Sequence, residues 1–230
     1  RQMCIRDSFG ISLTTNPDLN SSANGLAGWW TFDGKNLTSN VADSSGNGNN
    51  GTLTSATSTQ IGRIGQALDI CNQKITIPNS ASDNPNTNLS VSFWYKDHGS
   101  TGTFTGMIAK TDFTTGWIIN INGSTNGVYA RIDTSGGSNQ ASATVSNPFD
   151  GQWHHLVLVI DGTNQNLIWY KDGVFQSSTA FTLGTGLANS GVPILIGNND
   201  TTFCGYLDDM RLYSRALSAA EITRLYQLGH

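Results

Sequence analysis

Charge is the first thing this chain lacks. Lys and Arg number 12 and Asp and Glu 16, so charged residues are 12% of the 230, about half the roughly 25% usual in globular domains. The net charge is −4 and no Lys/Arg cluster occurs, which removes the electrostatic footprint of a nucleic-acid or anionic-membrane partner. Long apolar runs are missing too. Stretches such as Leu156 to Ile160 fall far short of the ~20 residues that a bilayer-spanning helix needs, so no membrane insertion is expected. Glutamate is reduced to Glu221, near the C-terminus, whereas glycosidases usually set two carboxylates across one cleft. Cysteine is limited to Cys4, Cys71 and Cys204, widely spaced and outside any CxxC or Cys/His pattern, so a zinc site is not expected. The odd count leaves at least one thiol unpaired. Cys71 and Cys204 either bridge, if two strand ends meet, or are two separately buried small hydrophobes.

What is abundant is neutral and polar. Ser, Thr and Asn make up roughly a third of the chain and glycine adds 26 residues, so solubility rests on uncharged groups. The length fits one large all-β domain or two small ones and suffices for a sizeable core. Residues 1–24 read as an N-terminal arm or linker. Within it, 1–8 are basic, lack the apolar segment of a signal peptide and look non-native. Residues 25–230 read as one folded domain.

Within that domain short strands alternate with turns. Gly28-Trp29-Trp30-Thr31-Phe32 is a strand ending at Asp33-Gly34. Residues Asp43 to Gly51, all Asp, Ser, Asn or Gly, cannot form regular structure and must be a loop held by something. Ala67–Ile70 and Lys74–Ile77 bracket a turn at Asn72-Gln73. Leu89 to Lys96 alternates apolar and polar residues, as a strand with one wet face should. Trp153 to Ile160 is largely apolar, which predicts a strand buried on both faces and central to its sheet. Asp172-Gly173 between two apolar runs predicts a type I′ hairpin. Only the end reads as helix, opened by a capping box at Ser218 and Glu221 and continued by the apolar face of Ile222, Leu225 and Tyr226. A dozen or more strands with one short C-terminal helix predict an all-β, two-sheet antiparallel sandwich.

Several segments occur in a recognisable order: Gly28 to Asp33, the 43–51 loop, Ala67 to Ile70, Val91 to Trp94, Trp153 to Leu156, Tyr170 to Gly173 and Gly205 to Ser218. Together they resemble a LamG-like jellyroll domain of the concanavalin A-like lectin/glucanase superfamily, over about residues 25–228. The resemblance implies two curved antiparallel sheets whose first and last strands pair. It also implies, in many members, a structural calcium (Ca2+) near that pairing, a hard cation that wants 6–8 oxygen ligands. Carried onto this sequence, Asp33 and Asp208 would be side-chain ligands, and Asn47 and Asn49 would add oxygens from the loop. Asp43 is a weaker candidate, and both Asp43 and Asp33 also suit plain turn-forming roles. Asp209 is expected to pair with Arg211 or Arg215 at the surface.

The superfamily includes glucanases, but the closely spaced Glu–Asp–Glu carboxylates of its retaining members have no counterpart here. Asp208 and Asp209, adjacent on a strand, are expected to point to opposite faces. The same argument keeps His154 and His155 from chelating one ion and leaves them packing or edge roles. No Gly-x-Ser-x-Gly nucleophile motif occurs. The favoured expectation is a non-catalytic, calcium-stabilised binding module for a glycan or glycoprotein surface, extracellular or on a cell or virion surface and part of a larger assembly. A structural accessory domain without sugar binding is the alternative. Sugar sites combine an exposed aromatic with polar groups that fix hydroxyls, and the loop candidates are Asp97 and His98, Asp112 and Phe113, Trp117, and Asn199 and Asp200. The tryptophans at 29, 30, 94, 153 and 169 are expected in the core.

Overall fold

A computed structural model describes residues 19–20, 24–34, 40–54, 59–71, 73–98, 100, 103–112, 115–122, 127–133, 141–146, 148–183, 187, 191–197 and 204–229. The strands are β1 (Leu26–Trp30), β2 (Asn40–Val41), β3 (Gly51–Leu53), β4 (Thr59–Ile61), β5 (Gln66–Asp69), β6 (Ile75–Ile77), β7 (Asn88–Asp97) and β8 (Thr103–Thr111). They continue as β9 (Gly116–Asn122), β10 (Gly127–Asp133), β11 (Ala141–Ser146), β12 (His154–Asp161), β13 (Asn166–Lys171), β14 (Val174–Ala180), β15 (Ile194–Ile196) and β16 (Gly205–Tyr213), before helix α1 (Ala219–Leu228).

Two antiparallel sheets form the expected sandwich. One runs β14-β13-β12-β7-β16-β5-β4, with β1 paired to β16; the other runs β11-β10-β9-β8-β15-β6-β3-β2. The first and last strands therefore pair, Leu26 opposite Tyr213 and Trp30 opposite Met210. The Ala67–Ile70 and Lys74–Ile77 segments do not form a hairpin, because β5 and β6 belong to different sheets. The chain between them crosses the edge of the sandwich.

Alternation along each strand builds the core. Leu89, Val91, Phe93 and Tyr95 of β7 join Leu156, Leu158 and Ile160 of β12 and Leu207, Met210 and Leu212 of β16 between the sheets. The β12 strand is buried on both faces because α1 covers its other side, where Val157 and Val159 meet Ile222, Leu225, Tyr213 and Leu19. Leu19, read as part of the arm, thus packs against the domain, and its carbonyl accepts the Tyr213 hydroxyl. The 172–173 turn has φ of 54° at Asp172 and 76° at Gly173, the pair of positive angles a type I′ hairpin requires.

Helix α1 starts as its sequence dictates. The Ser218 hydroxyl accepts the Glu221 N–H while the Glu221 carboxylate accepts the Ser218 N–H. Arg215 adds two nitrogens to that carboxylate at 3.1 and 2.7 Å. Burial raises the Glu221 carboxyl, but the Arg215 and Ser218 hydrogen bonds outweigh it and hold the group down to about 2. A depressed carboxyl contributes stability above its unfolded value, and that contribution fades as pH falls through the folded one. Glu221→Gln is therefore expected to melt lower than the parent at neutral pH. The gap in melting temperature should close between about pH 4.5 and pH 2, and a pH-independent gap would contradict the assignment.

Candidate functional site

Two places on the outer face of the β16 sheet concentrate polar chemistry. The first lies where β16 is interrupted. Asp208 pairs with Trp94 and Arg211 with Ser92, so Asp209 and Met210 together oppose Phe93 alone, a bulge with Asp209 at φ 45°. Simple alternation predicted opposite faces for Asp208 and Asp209. The inserted residue cancels that alternation: Leu207, Met210 and Leu212 keep the core, and both carboxylates are left outside it. Asp208 is 0% and Asp209 6% exposed. Burial, together with the charges of Asp209 and Asp33, pushes the Asp208 carboxyl up to about 7 against the hydrogen bonds it accepts from Ile64 and Arg63. Its Oδ1 is buried and has no hydrogen-bond partner. Asp209 does pair with Arg211, but the pair is buried, not at the surface, since Arg211 is 3% exposed. Arg215 is committed to Glu221.

Asp33 and Asp208 hold the same tight turn. Asp33 Oδ1 accepts the Gln66 N–H and Asp208 Oδ2 accepts the Ile64 N–H, both at 2.7 Å. A Cβ on Gly62 would stand 2.5 Å from Asp208 Oδ2 and one on Gly65 2.4 Å from Asp33 Oδ1, so glycine is what lets the carboxylates approach. Asn47 and Asn49 are occupied elsewhere. Asn47 Nδ2 donates to the Leu26 and Ala27 carbonyls, and Asn49 Nδ2 donates to Ala27 O and Ser82 Oγ. The hub of the 43–51 loop is Asp43, whose carboxylate accepts the N–H groups of Trp29, Ser45 and Asn49 and the Ser45 hydroxyl. The four expected metal ligands thus separate into an acid pair at the 62–66 turn and an amide pair at the start of β1. Among the described residues no three His, Cys, Asp or Glu side chains form a metal-holding group.

The second place is the end of the sheet where β5, β7 and β16 meet. Cys71 and Cys204 are joined by a disulfide across a Cα–Cα distance of 4.1 Å. Beside it the His98 ring lies 4.4 Å from Tyr206 and the Trp153 ring 6.4 Å from Tyr206, centroid to centroid. Leu68, Ile70 and Leu207 fill the core, so Asp69 and Tyr206 face outward. Trp153 and Tyr206 are half-buried and His98 is exposed. Asp69 Oδ1 meets His98 Nε2 at 3.2 Å and accepts the Cys71 N–H at 3.0 Å. Asp97 braces the platform from behind, accepting the Tyr95 hydroxyl and the Ser100 N–H. Half-exposed ring faces beside a carboxylate can hold the apolar face of a ring compound and accept its hydroxyls.

The other sequence candidates fall outside this platform. Trp117 is corrected outright: it is 4% exposed and packs in the inter-sheet core. Asp112 closes the β8–β9 turn through the Thr115 N–H and hydroxyl. Phe113, Asn199 and Asp200 lie outside the described residues. Sequence reasoning missed Tyr206, Asp69 and Trp153, the last by assigning it to the core. A cleft lined by Asp83, Lys110 and Trp117 encloses about 10 Å³, room for about one water.

His154 and His155 diverge as expected. His154 bridges Asp172 and Asp150, and these contacts, the Asp172 hydrogen bond first, raise it. His155 is 2% exposed beneath Trp94 and Tyr226, and burial drives it down to about 3. Its contact with Ser92 Oγ is sealed from solvent.

The family model described as the concanavalin A-like lectin/glucanases superfamily matches residues 69–223, well over half of the chain. The chain belongs to that superfamily. No curated protein matches it by sequence. Among solved structures it is similar to the binding domain of Paraclostridial Mosquitocidal Protein 1, with TM-score 0.73 and 18% identity over 88% of this chain and 52% of that one. It is likewise similar to the binding domain of botulinum neurotoxin serotype D in complex with N-acetylneuraminic acid, with TM-score 0.70 and 16% identity over 89% and 51% of the two chains. The botulinum neurotoxin DC binding domain in complex with rat synaptotagmin II gives 0.69 and 15% over 93% and 53%. The chain spans about half the length of these structures. At such identities the likeness shows the fold, a jellyroll sandwich shared with binding domains.

Proposed function

We propose that this domain is a non-catalytic glycan-recognition module that uses the platform of Trp153, Tyr206 and His98, flanked by Asp69. The observation that carries this reading is a partly exposed group of three rings, His98 and Trp153 each beside Tyr206, with a carboxylate next to His98. Similar domains have been solved in complex with N-acetylneuraminic acid and with rat synaptotagmin II, which supports a binding role. A glycan array tests it. One glycan class should be retained, and Trp153→Ala or Tyr206→Ala should weaken retention about fivefold or more, in line with roughly 1 kcal/mol or more per lost aromatic contact. Retention unchanged in both variants would refute the platform, and silence across the array would favour a structural accessory role.

Calcium stabilisation belongs to the same reading. The orphaned Asp208 Oδ1 and the neighbouring Asp33 fit a hard cation, whereas Asn47 and Asn49 do not reach that place. Asp33 and Asp208 would hold the ion, which would neutralise the buried acids and pin the 62–66 turn. Chelation is then expected to lower the melting temperature by several degrees, and an unchanged melting curve would remove calcium from the account. Surface display, on a cell or a virion, completes the proposed setting.

A further inference from the structure

The platform and the disulfide are one hydrogen-bonded unit. Cys71 donates its N–H to the Asp69 carboxylate, which meets His98 Nε2. The His98 N–H in turn donates to the Cys204 carbonyl at 3.3 Å. Ser100 binds the same half-cystine twice, its hydroxyl donating to Cys204 O at 2.8 Å and accepting Cys204 N–H at 3.1 Å. Tyr206, the central ring, lies two residues beyond Cys204, and Ile70 donates its N–H to Gly205 O. The half-cystines are partly exposed. Neither belongs to the inter-sheet core.

We propose that the Cys71–Cys204 disulfide gates the platform, so that a dithiol reductant switches ligand binding off while the sandwich stays folded. This rests on the glycan reading above for what is switched. One thiolate of the dithiol attacks a half-cystine sulfur, a mixed disulfide forms, and the second thiol displaces it. Two electrons and two protons pass to Cys71 and Cys204, and the reductant closes as its own disulfide. With the bond gone, the ends of β5 and β16 keep their hydrogen bonds but lose the covalent tie between them, and His98 and Tyr206 lose the fixed link on which their spacing rests.

Hydrogen exchange on the intact chain, with and without dithiothreitol, tests the coupling without any ligand. Exchange at residues 96–100 and 204–207 should rise about tenfold or more while β12 stays protected. Unchanged exchange at the platform, or loss of protection throughout the chain, would overturn the proposal. Ser100→Ala, which keeps the disulfide but removes both hydroxyl bonds to Cys204, should give part of the same rise, and no rise at all would count against it. A glycan array run on both redox forms reads the consequence: glycan retained only by the oxidised form is the expected result, and equal retention by both refutes gating. If the oxidised form retains nothing, the glycan reading fails, and the exchange result still decides the redox coupling.

Discussion

Arg211→Met is expected to cost about 3–5 kcal/mol of folding stability, the usual penalty for stripping one partner from a buried ion pair. The guanidinium is buried against the Trp29 ring at 4.5 Å and reaches Asp209 at 3.1 Å. The Trp29 indole N–H also donates to Asp209. Without Arg211, the Asp209 carboxylate would stay under Trp29 beside Asp208 and lose the guanidinium that offsets its burial. Burial already raises Asp209, and Arg211 is the main influence holding it down. A carboxyl raised in the folded state costs stability above its unfolded value and recovers it as pH falls. The variant's deficit, measured by urea unfolding, should therefore be larger at pH 7 than near pH 4. Asp209→Leu combined with Arg211→Met should cost less than the two single changes summed, because the double variant buries no lone charge. A single-variant loss below about 1 kcal/mol would show that water reaches the pair.

Trp30 carries the second large effect. Its side chain is fully buried in the inter-sheet core, and its indole N–H donates to Asn49 O at 3.0 Å. It is the point where the irregular 43–51 loop is tied to the sandwich interior. Trp30→Ala should cost about 3–5 kcal/mol through the cavity it leaves. Trp30→Phe keeps much of the apolar volume but strands a buried carbonyl, which costs about 1–3 kcal/mol. Denaturant titration measures both, and hydrogen exchange at Asn49 should rise in the Phe variant. Equal losses for Ala and Phe would mean that the hydrogen bond, not the packing, dominates.

The sequence made some of this legible because period and turn chemistry act locally. Alternation in Leu89 to Lys96 placed β7, though its polar face is buried and not wet, with Ser90 accepting the Leu217 N–H and Ser92 meeting His155; the apolar Trp153 to Ile160 run placed a central strand, and Asp172-Gly173 and Ser218/Glu221 fixed a hairpin and a helix start. What escaped depends on partners distant in the chain. The β16 bulge reverses the facing of Asp209 and needs the β7 register to be seen. Asn47 and Asn49, chosen for their oxygens, turn out to present their amide nitrogens to β1 carbonyls. Trp153 looked like core because its neighbours in sequence are core, yet it precedes β12 and is half-buried with its ring tilted against Tyr206. Of the loop candidates, His98 entered the platform and Asp97 braces it from behind, since their position beside Cys204 is set by strand order and not by local pattern.

The pairing of β1 with β16 bears on how the domain would carry tension. Leu26, at the entry to β1, sits opposite Tyr213, at the exit of β16, so a pull applied at these two residues loads the ladder one hydrogen bond at a time, as a zipper. That is the weak direction of a sheet. Peeling inward along β16, however, the chain meets Cys204, bonded to Cys71 across 133 residues of sequence. The intervening loop, with a contour length of about 450 Å at roughly 3.4 Å per residue, is withheld from extension. Strands β1 to β5 and β16 can give way under load while β6 to β15, enclosed between the two half-cystines, remain a closed, short tether.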